Sequence, residues 1–225
     1  MSSAEMKVLI ESENRASEAR MMEKFTDMVR IMNENLLKKL AEQNDKIKSL
    51  EEENRRLAWR VNDMEQYDRR ANIQINNVPQ NGNEDIGKML CEMGTKIGVP
   101  IDFKVDVQAA HRIPSMNPNS KPIVVRFTNR MKRDAFLAAA RTKKLTTNDL
   151  PTIKQPGVSV NAKIYVNDHL SPDNRKIFYE AKKAVREKKL KTVRFRNGKV
   201  CVQRDDMSQL QPIRDLEQLK PFLTN

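Results

Sequence analysis

Cysteine, histidine, glycine and the aromatics are scarce in this sequence, and each scarcity removes a class of function. The two cysteines, Cys91 and Cys201, stand far apart with no CxxC pair, so they read as ordinary buried thiols of a reducing compartment. That reading places the chain inside the cell, in cytoplasm or nucleus. The two histidines, His111 and His169, fall in no HExxH or comparable spacing, so no metal and no cofactor is expected. There is no glycine-rich phosphate loop, and the adjacent acids Asp205 and Asp206 read as solvated loop charges. A function without catalysis is the expectation. No apolar run is long enough for a signal peptide or a membrane span. Aromatics make up 5% of the chain and charged residues 32%, a balance that points to much exposed helix around one or two small cores.

What is abundant is positive charge, and it is unevenly placed. The formal net charge is +12, yet the first 71 residues are close to neutral, so the basic excess lies in the remaining two thirds. Such asymmetry is the electrostatic footprint of a polyanion-binding surface. An anionic membrane is the rival partner, but neither an apolar-basic amphipathic end nor a lipidation site is evident.

Residues 1–21 are polar and weakly periodic, a frayed N-terminus. From 22 to 70 apolar residues recur as Met22, Phe25, Val29, Met32, Leu36, Leu40, Ile47, Leu50, Leu57, Val61 and Met64, with Gln43 and Asn54 in the same series. The spacing alternates three and four, apart from a stutter at Met32-Leu36-Leu40. So narrow a stripe cannot be hidden within one helix, which implies a parallel coiled coil between copies of the chain, with a helix folded back on the body as the alternative. Asn54 at an a position would fix the register. Ile47 and Val61 at a, with Leu50 and Leu57 at d, favour two strands.

Glu65–Pro79 turns the helix into a folded domain: after Arg69-Arg70 the apolar residues alternate as Ile73 and Ile75, which is strand spacing. Residues 71–143 then read strand (72–78), helix (84–97, started by Asn83 and stopped by Gly98), strand (105–113), strand (121–128) and helix (130–142). This β-α-β-β-α order is the ferredoxin-like arrangement of RNA-recognition motifs. The three positions that would carry base-stacking aromatics hold Gln74, Pro122 and Val124, so contacts would rest on charge, from Arg69, Arg70, Arg112, Lys121, Arg126, Arg130, Lys132 and Arg141. For any one of these, a solvated surface charge is the plain alternative. Residues 144–161 carry Thr, Asn, Asp, Pro and Gly and read as a linker.

The basic C-terminal domain, 162–225, is expected to open with a strand at Lys163–Asn167. Ser171-Pro172 then supplies a cap and a first-turn proline for a helix running to about Lys189. Ile177, Phe178, Ala181, Ala184 and Val185 form its apolar face; Arg175, Tyr179, Lys182, Arg186 and Lys189 form a basic stripe elsewhere on it. Asn197-Gly198 joins two alternating strands as a two-residue hairpin. The register sets Phe195 against Val200 and Val193 against Val202 on the helix-bearing side, with Arg196 against Lys199 and Arg194 against Cys201 on the other. Like charges placed opposite each other are unfavourable unless a phosphate chain lies between them. Arg194, Arg196, Lys199, Lys163 and Tyr165 are therefore expected to share one nucleic-acid-binding face, the alternative being that the long side chains splay into water. A short closing helix from Asp215 turns Leu216 and Leu219 inward. The whole is an α+β chain: long coiled-coil helix, ferredoxin-like central domain, small α+β C-terminal domain.

The series Glu65-x-x-x-Arg69-Arg70-x-Asn72-Ile73-x-Ile75-x-x-Val78-Pro79, His111-Arg112-Ile113-Pro114 and the run from Arg126 to Arg141 resemble the first-open-reading-frame proteins of non-LTR retrotransposons. Lys163–Pro172 and Arg194–Val200 are similar to the baculovirus few-polyhedra protein and its insect transposon-derived relatives. The resemblance implies single-stranded RNA or DNA binding with chaperone activity, carried at positions matching Arg69, Arg70, Arg112, Arg126 and Arg141. It also implies self-association, as a trimer in the retrotransposon proteins, where the a and d residues here favour a dimer. A coiled-coil scaffold or trafficking adaptor that binds acidic proteins is the alternative function.

Overall fold

A computed structural model of the chain describes residues 3–80, 82, 84–115, 121–153 and 161–223. Asn83, expected to start a helix, and the Pro156-Gly157 part of the expected linker lie outside them. The chain divides into two units, up to Ala58 and from Trp59 onward.

Helix α1 spans Ser3–Asp68, so the polar N-terminal segment continues the helix rather than ending it. No glycine or proline interrupts it, and the largely straight-chain residues are good helix formers. Most of its apolar stripe is exposed. Phe25, Leu36, Leu40, Ile47, Leu50, Leu57, Val61 and Met64 are all exposed. Among the described residues no helix is long and apolar enough to cross a membrane.

Among the described residues the second unit holds two antiparallel sheets and two hydrophobic clusters. In chain order the first sheet is built from β1 (Asn72–Asn76), α2 (Ile86–Ile97), α3 (Phe103–Asp106), β2 (Val107–Arg112), β3 (Ile123–Phe127), α4 (Arg130–Thr142), β4 (Leu145–Thr146) and β5 (Lys163–Asp168). The strands lie in the order β2-β3-β1-β5-β4. Ile73, Ile75, Ile123, Val125, Ile164 and Val166 point to one side of the sheet, where Met89, Leu90 and Met93 of α2 and Phe136 and Leu137 of α4 cover them. Helix α2 begins at an Asp85 cap and ends at Gly98, whose φ of 80° only glycine adopts freely.

Three expectations need correction. The strand at Lys163 does not belong with the C-terminal hairpin; it pairs with β1, Ile75 opposite Val166, because its alternating Ile164 and Val166 complete the first core. The described part of the expected linker is structured. Leu145, Leu150 and Ile153 are buried in that same core through β4 and two short 3-10 turns, Thr147–Asp149 and Pro151–Ile153. The strand expected from 105 begins at Val107, since Asp102 caps the one-turn helix α3 before it.

The second sheet, order β6-β7-β8, comprises β6 (Thr192–Arg196), β7 (Lys199–Gln203) and β8 (Gln211–Ile213). The hairpin register is the one the Asn-Gly turn dictates: Phe195 faces Val200, Arg194 faces Cys201 and Arg196 faces Lys199. Asn197 (φ 53°) and Gly198 (φ 80°) both take the left-handed region that a two-residue turn needs. Helix α5 (Pro172–Arg186), capped by Ser171, lays Ile177, Ala181 and Ala184 on Val200 and Val202. Helix α6 (Leu216–Leu223) buries Leu219 completely, whereas Leu216, expected inward, is 41% exposed.

Candidate nucleic-acid interface

The last turns of α1 hold the two sheets of the second unit together. Trp59, Asn62 and Gln66 recur at helical spacing on a face separate from Val61 and Met64, so docking does not consume the coiled-coil stripe. Trp59 donates from Nε1 to Asp215 at 2.9 Å, with Arg214 stacked over its ring at 5.4 Å. Gln66, 3% exposed, donates to the carbonyl of His169 at 3.1 Å and accepts from the Ser171 N–H at 2.9 Å and the Asn174 amide at 3.0 Å. The Ser171 hydroxyl donates to Asn62 at 2.5 Å. One glutamine thus satisfies the start of α5 and the end of the loop after β5.

His169 sits beneath this network. Arg69 Nη1 lies 3.1 Å from its Nε2, and an arginine can only donate, so Nε2 accepts and the ring proton sits on Nδ1. Nδ1 is 3.3 Å from the Asn72 amide nitrogen, and the Asn72 oxygen is buried with no partner among the described residues; turning the amide over lets Nδ1–H donate to that oxygen. Burial first, then the positive charge of Arg69 and Arg175, pushes the imidazole pKa down to about 4. The ring is neutral at physiological pH.

Held in this way, the two sheets border a basic cleft with two contiguous basins. The first, about 500 Å³, is lined by Arg69, Arg70, Arg130, Arg133, Arg141 and Arg196 against only two acids, Asp134 and Asp168. Arg133 is buried and structural: it donates to the Asn72 carbonyl at 3.0 Å and to Asp168 at 2.5 Å. The other oxygen of Asp168 accepts from Arg141 at 2.7 Å, fixing that half-exposed guanidinium at the border between the basins. Arg70, Arg130 and Arg196 have no carboxylate partner among the described residues; Arg70 stacks over Tyr67 at 4.6 Å. Three guanidinium groups lining one basin, none paired with a carboxylate among the described residues, form a site that an anion would stabilise.

The second basin, about 490 Å³, shares Arg141, Asp168 and Phe195 with the first and adds Arg175, Lys182 and Arg194. A smaller recess of about 400 Å³ beside Arg70 includes Lys199, Tyr67 and Gly198. Of the residues singled out in the sequence, the cleft therefore gathers Arg69, Arg70, Arg130, Arg141, Arg175, Lys182, Arg194 and Arg196, with Lys199 at its edge. It leaves others outside. Arg112 is taken up by the fold: its guanidinium is 7% exposed, grips Glu84 at 2.6 Å and donates to the carbonyls of Val78, Pro79 and Lys121. Arg126 pairs with Asp68 at 3.3 Å and Lys132 with Asp106 at 3.4 Å. Lys121 is half-buried, while Tyr179 and Arg186 lie exposed on α5. Lys163 and Tyr165 are exposed on β5, across from β1, not on the hairpin with Arg194 and Arg196.

Sequence reasoning missed Arg133, Gln66, Asn62, Asn174 and Asp168. Arg133 had a legible signal: it lies at helical spacing with Phe136, Leu137 and Ala140, an arginine on a core-facing stripe. Gln66 also falls at a regular interval from Trp59 and Asn62, a second polar stripe on a helix read for its apolar one. Among the described residues no three acidic, cysteine or histidine side chains gather as a metal site. Cys201 is buried, and burial pushes its thiol pKa up.

The C-terminal geometry agrees with a family comparison. Residues 171–223, from the Ser171 cap of α5 through α6, match the family model Baculovirus FP protein domain 2. This segment is similar to that baculovirus FP domain, and it contains Arg194–Val200, one of the two stretches that carried the resemblance in the sequence. A comparison with curated proteins finds no match.

Proposed function

We propose that the chain is a self-associating, non-catalytic binder of single-stranded RNA or DNA that grips backbone phosphates in the basic cleft. The observation that carries this reading is the set of guanidinium groups of Arg70, Arg130 and Arg196 in one basin, none with a carboxylate partner among the described residues. Strand order β2-β3-β1-β5 is that of the ferredoxin-like arrangement, with β5 as its fourth strand, and supports an RNA-recognition-motif-like core for the first sheet. The exposed a and d stripe supports a parallel coiled coil. In register, Lys46 of one copy would face Glu51 of the next, and Arg60 would face Glu65, both opposite in charge. The docking residues Trp59, Asn62 and Gln66 lie off that seam, so each copy keeps its cleft open.

Mechanistically, each cleft holds phosphates weakly, and the coil makes successive contacts intramolecular. Weak exchanging contacts let strands rearrange, which is chaperone action without fuel. Coil, RNA-recognition-motif-like core and basic C-terminal domain, in that order, support descent from a retroelement protein. The test is binding of the full chain to a single-stranded and a duplex oligonucleotide of equal length, with an annealing assay alongside. Tighter binding to the single strand and faster annealing support the reading. A scaffold for acidic proteins would instead show no preference between strands and no annealing.

A further inference from the structure

The second basin differs chemically from the first, because much of its wall is apolar. Leu170, Phe178, Val193 and Phe195 line it. The last three pack one side against the C-terminal hydrophobic cluster and stay half-buried, so their other side borders the basin. Around them stand Arg175, Lys182 and Arg194, none paired with a carboxylate among the described residues. The one acid in the lining, Asp168, is committed to Arg133 and Arg141. A sugar-phosphate chain would use the cations and gain nothing from the apolar wall. Stacked bases gain little either, because the only aromatic rings in the lining are Phe178 and Phe195. Lys182 Nζ lies 4.9 Å from the centroid of the first, and the second is partly buried in the C-terminal cluster.

We propose that this basin docks an acidic peptide segment of a partner protein, in which an aliphatic or aromatic side chain is flanked by carboxylates. The apolar wall receives that side chain, and Arg175, Lys182 and Arg194 receive the carboxylates. A volume of about 490 Å³ suits a few side chains of an extended segment, not a folded domain. Charge complementarity sets the sign of the partner: a basic segment would be repelled by three cations, and a neutral one would desolvate them without return. Docking also has a consequence for the neighbouring basin. Arg141, Asp168 and Phe195 line both, so a peptide carboxylate in the second competes for Arg141 with a phosphate in the first. An acidic partner thereby displaces a bound strand. The displacement rests on the nucleic-acid function above; the docking does not.

The test uses the full chain and fluorescence anisotropy with a short labelled peptide of alternating aspartate and leucine, beside the same peptide with serine in place of leucine. The leucine peptide is expected to bind about tenfold more tightly than the serine one. Lys182→Glu with Arg194→Glu, a change at two exposed positions, should weaken the leucine peptide about tenfold or more. Arg186→Ala, on the same helix but outside the basin, should leave it unchanged. Val193→Thr keeps the side-chain shape and should weaken the leucine peptide by about two- to fourfold without affecting the serine one. Unlabelled leucine peptide should release a labelled thymine oligonucleotide from the wild type. Equal affinity for the two peptides would overturn the docking site, as would full affinity in the Lys182→Glu/Arg194→Glu variant. Peptide binding that leaves the oligonucleotide in place would overturn the displacement alone. Failure of the oligonucleotide to bind would overturn the nucleic-acid function and the displacement with it, while the two peptides still decide the docking.

Discussion

Arg69 donates from Nη1 to Nε2 of His169 at 3.1 Å; burial first, and then this positive charge, keeps the imidazole neutral. Since the folded pKa is about 4 against an ordinary 6.5, the unfolded chain binds more protons between those values. The contribution is fully present above pH 6.5 and is lost as pH falls through 4. At its largest it is about 3 kcal/mol. Thermal melts should show stability falling across that window, with His169→Gln flattening the fall. Asp149, held below its ordinary value by the Lys96 ammonium at 2.7 Å, adds a separate loss below pH 3.8.

Gln66 offers the second prediction. Gln66→Leu keeps the size but strands the Ser171 N–H, the Asn174 amide and the His169 carbonyl, buried or half-buried groups that lose their partner. The expected loss is about 2 to 4 kcal/mol in denaturant unfolding. Hydrogen exchange should locate it at the first turn of α5. Unchanged protection of Ser171 would contradict the role given to Gln66.

Arg112 and Arg196 separate structure from binding. Arg112→Met leaves Glu84 and three carbonyls without their donor and should cost about 3 to 5 kcal/mol of stability, while the salt dependence of oligonucleotide binding stays as it was. Arg196→Ala should change stability by less than about 0.5 kcal/mol. It should reduce the slope of log affinity on log salt by about 0.7.

The coil can be tested apart from the cleft. Leu50→Asp puts a charge in the seam, and sedimentation should then show smaller species than the wild type. Affinity for long single strands should drop about a hundredfold or more, while affinity for strands short enough for one cleft stays constant. Equal loss on both lengths would contradict avidity as the mechanism.

How much of this was legible depends on the range of the interactions involved. The Asn197-Gly198 turn, the Ser171 cap and the Gly98 stop are local chemistry, and the structure places all three where the residues put them. The pairing of β5 with β1 is not local, because an alternating Lys163–Asp168 strand fits either sheet edge. Only the three-dimensional core decides that Ile164 and Val166 belong with Ile73 and Ile75. The cleft was half legible for the same reason. Its arginines stood out by charge, but nothing in the sequence separates Arg112, locked to Glu84 across 28 positions, from Arg196, which faces open space. Asp168, at the end of β5, escaped notice because its meaning comes from Arg133 and Arg141, which approach it from helix α4.

The central claim is that unpaired cations in one basin hold the phosphates of a single strand. The most direct measurement is a salt titration of single-strand binding by the full chain and by its Arg70→Ala/Arg130→Ala/Arg196→Ala variant. The account predicts a linear fall of log affinity with log salt for the wild type, and a slope smaller by about 2 in the variant, with folding intact. Identical slopes, or no binding by the wild type in dilute buffer, would contradict it.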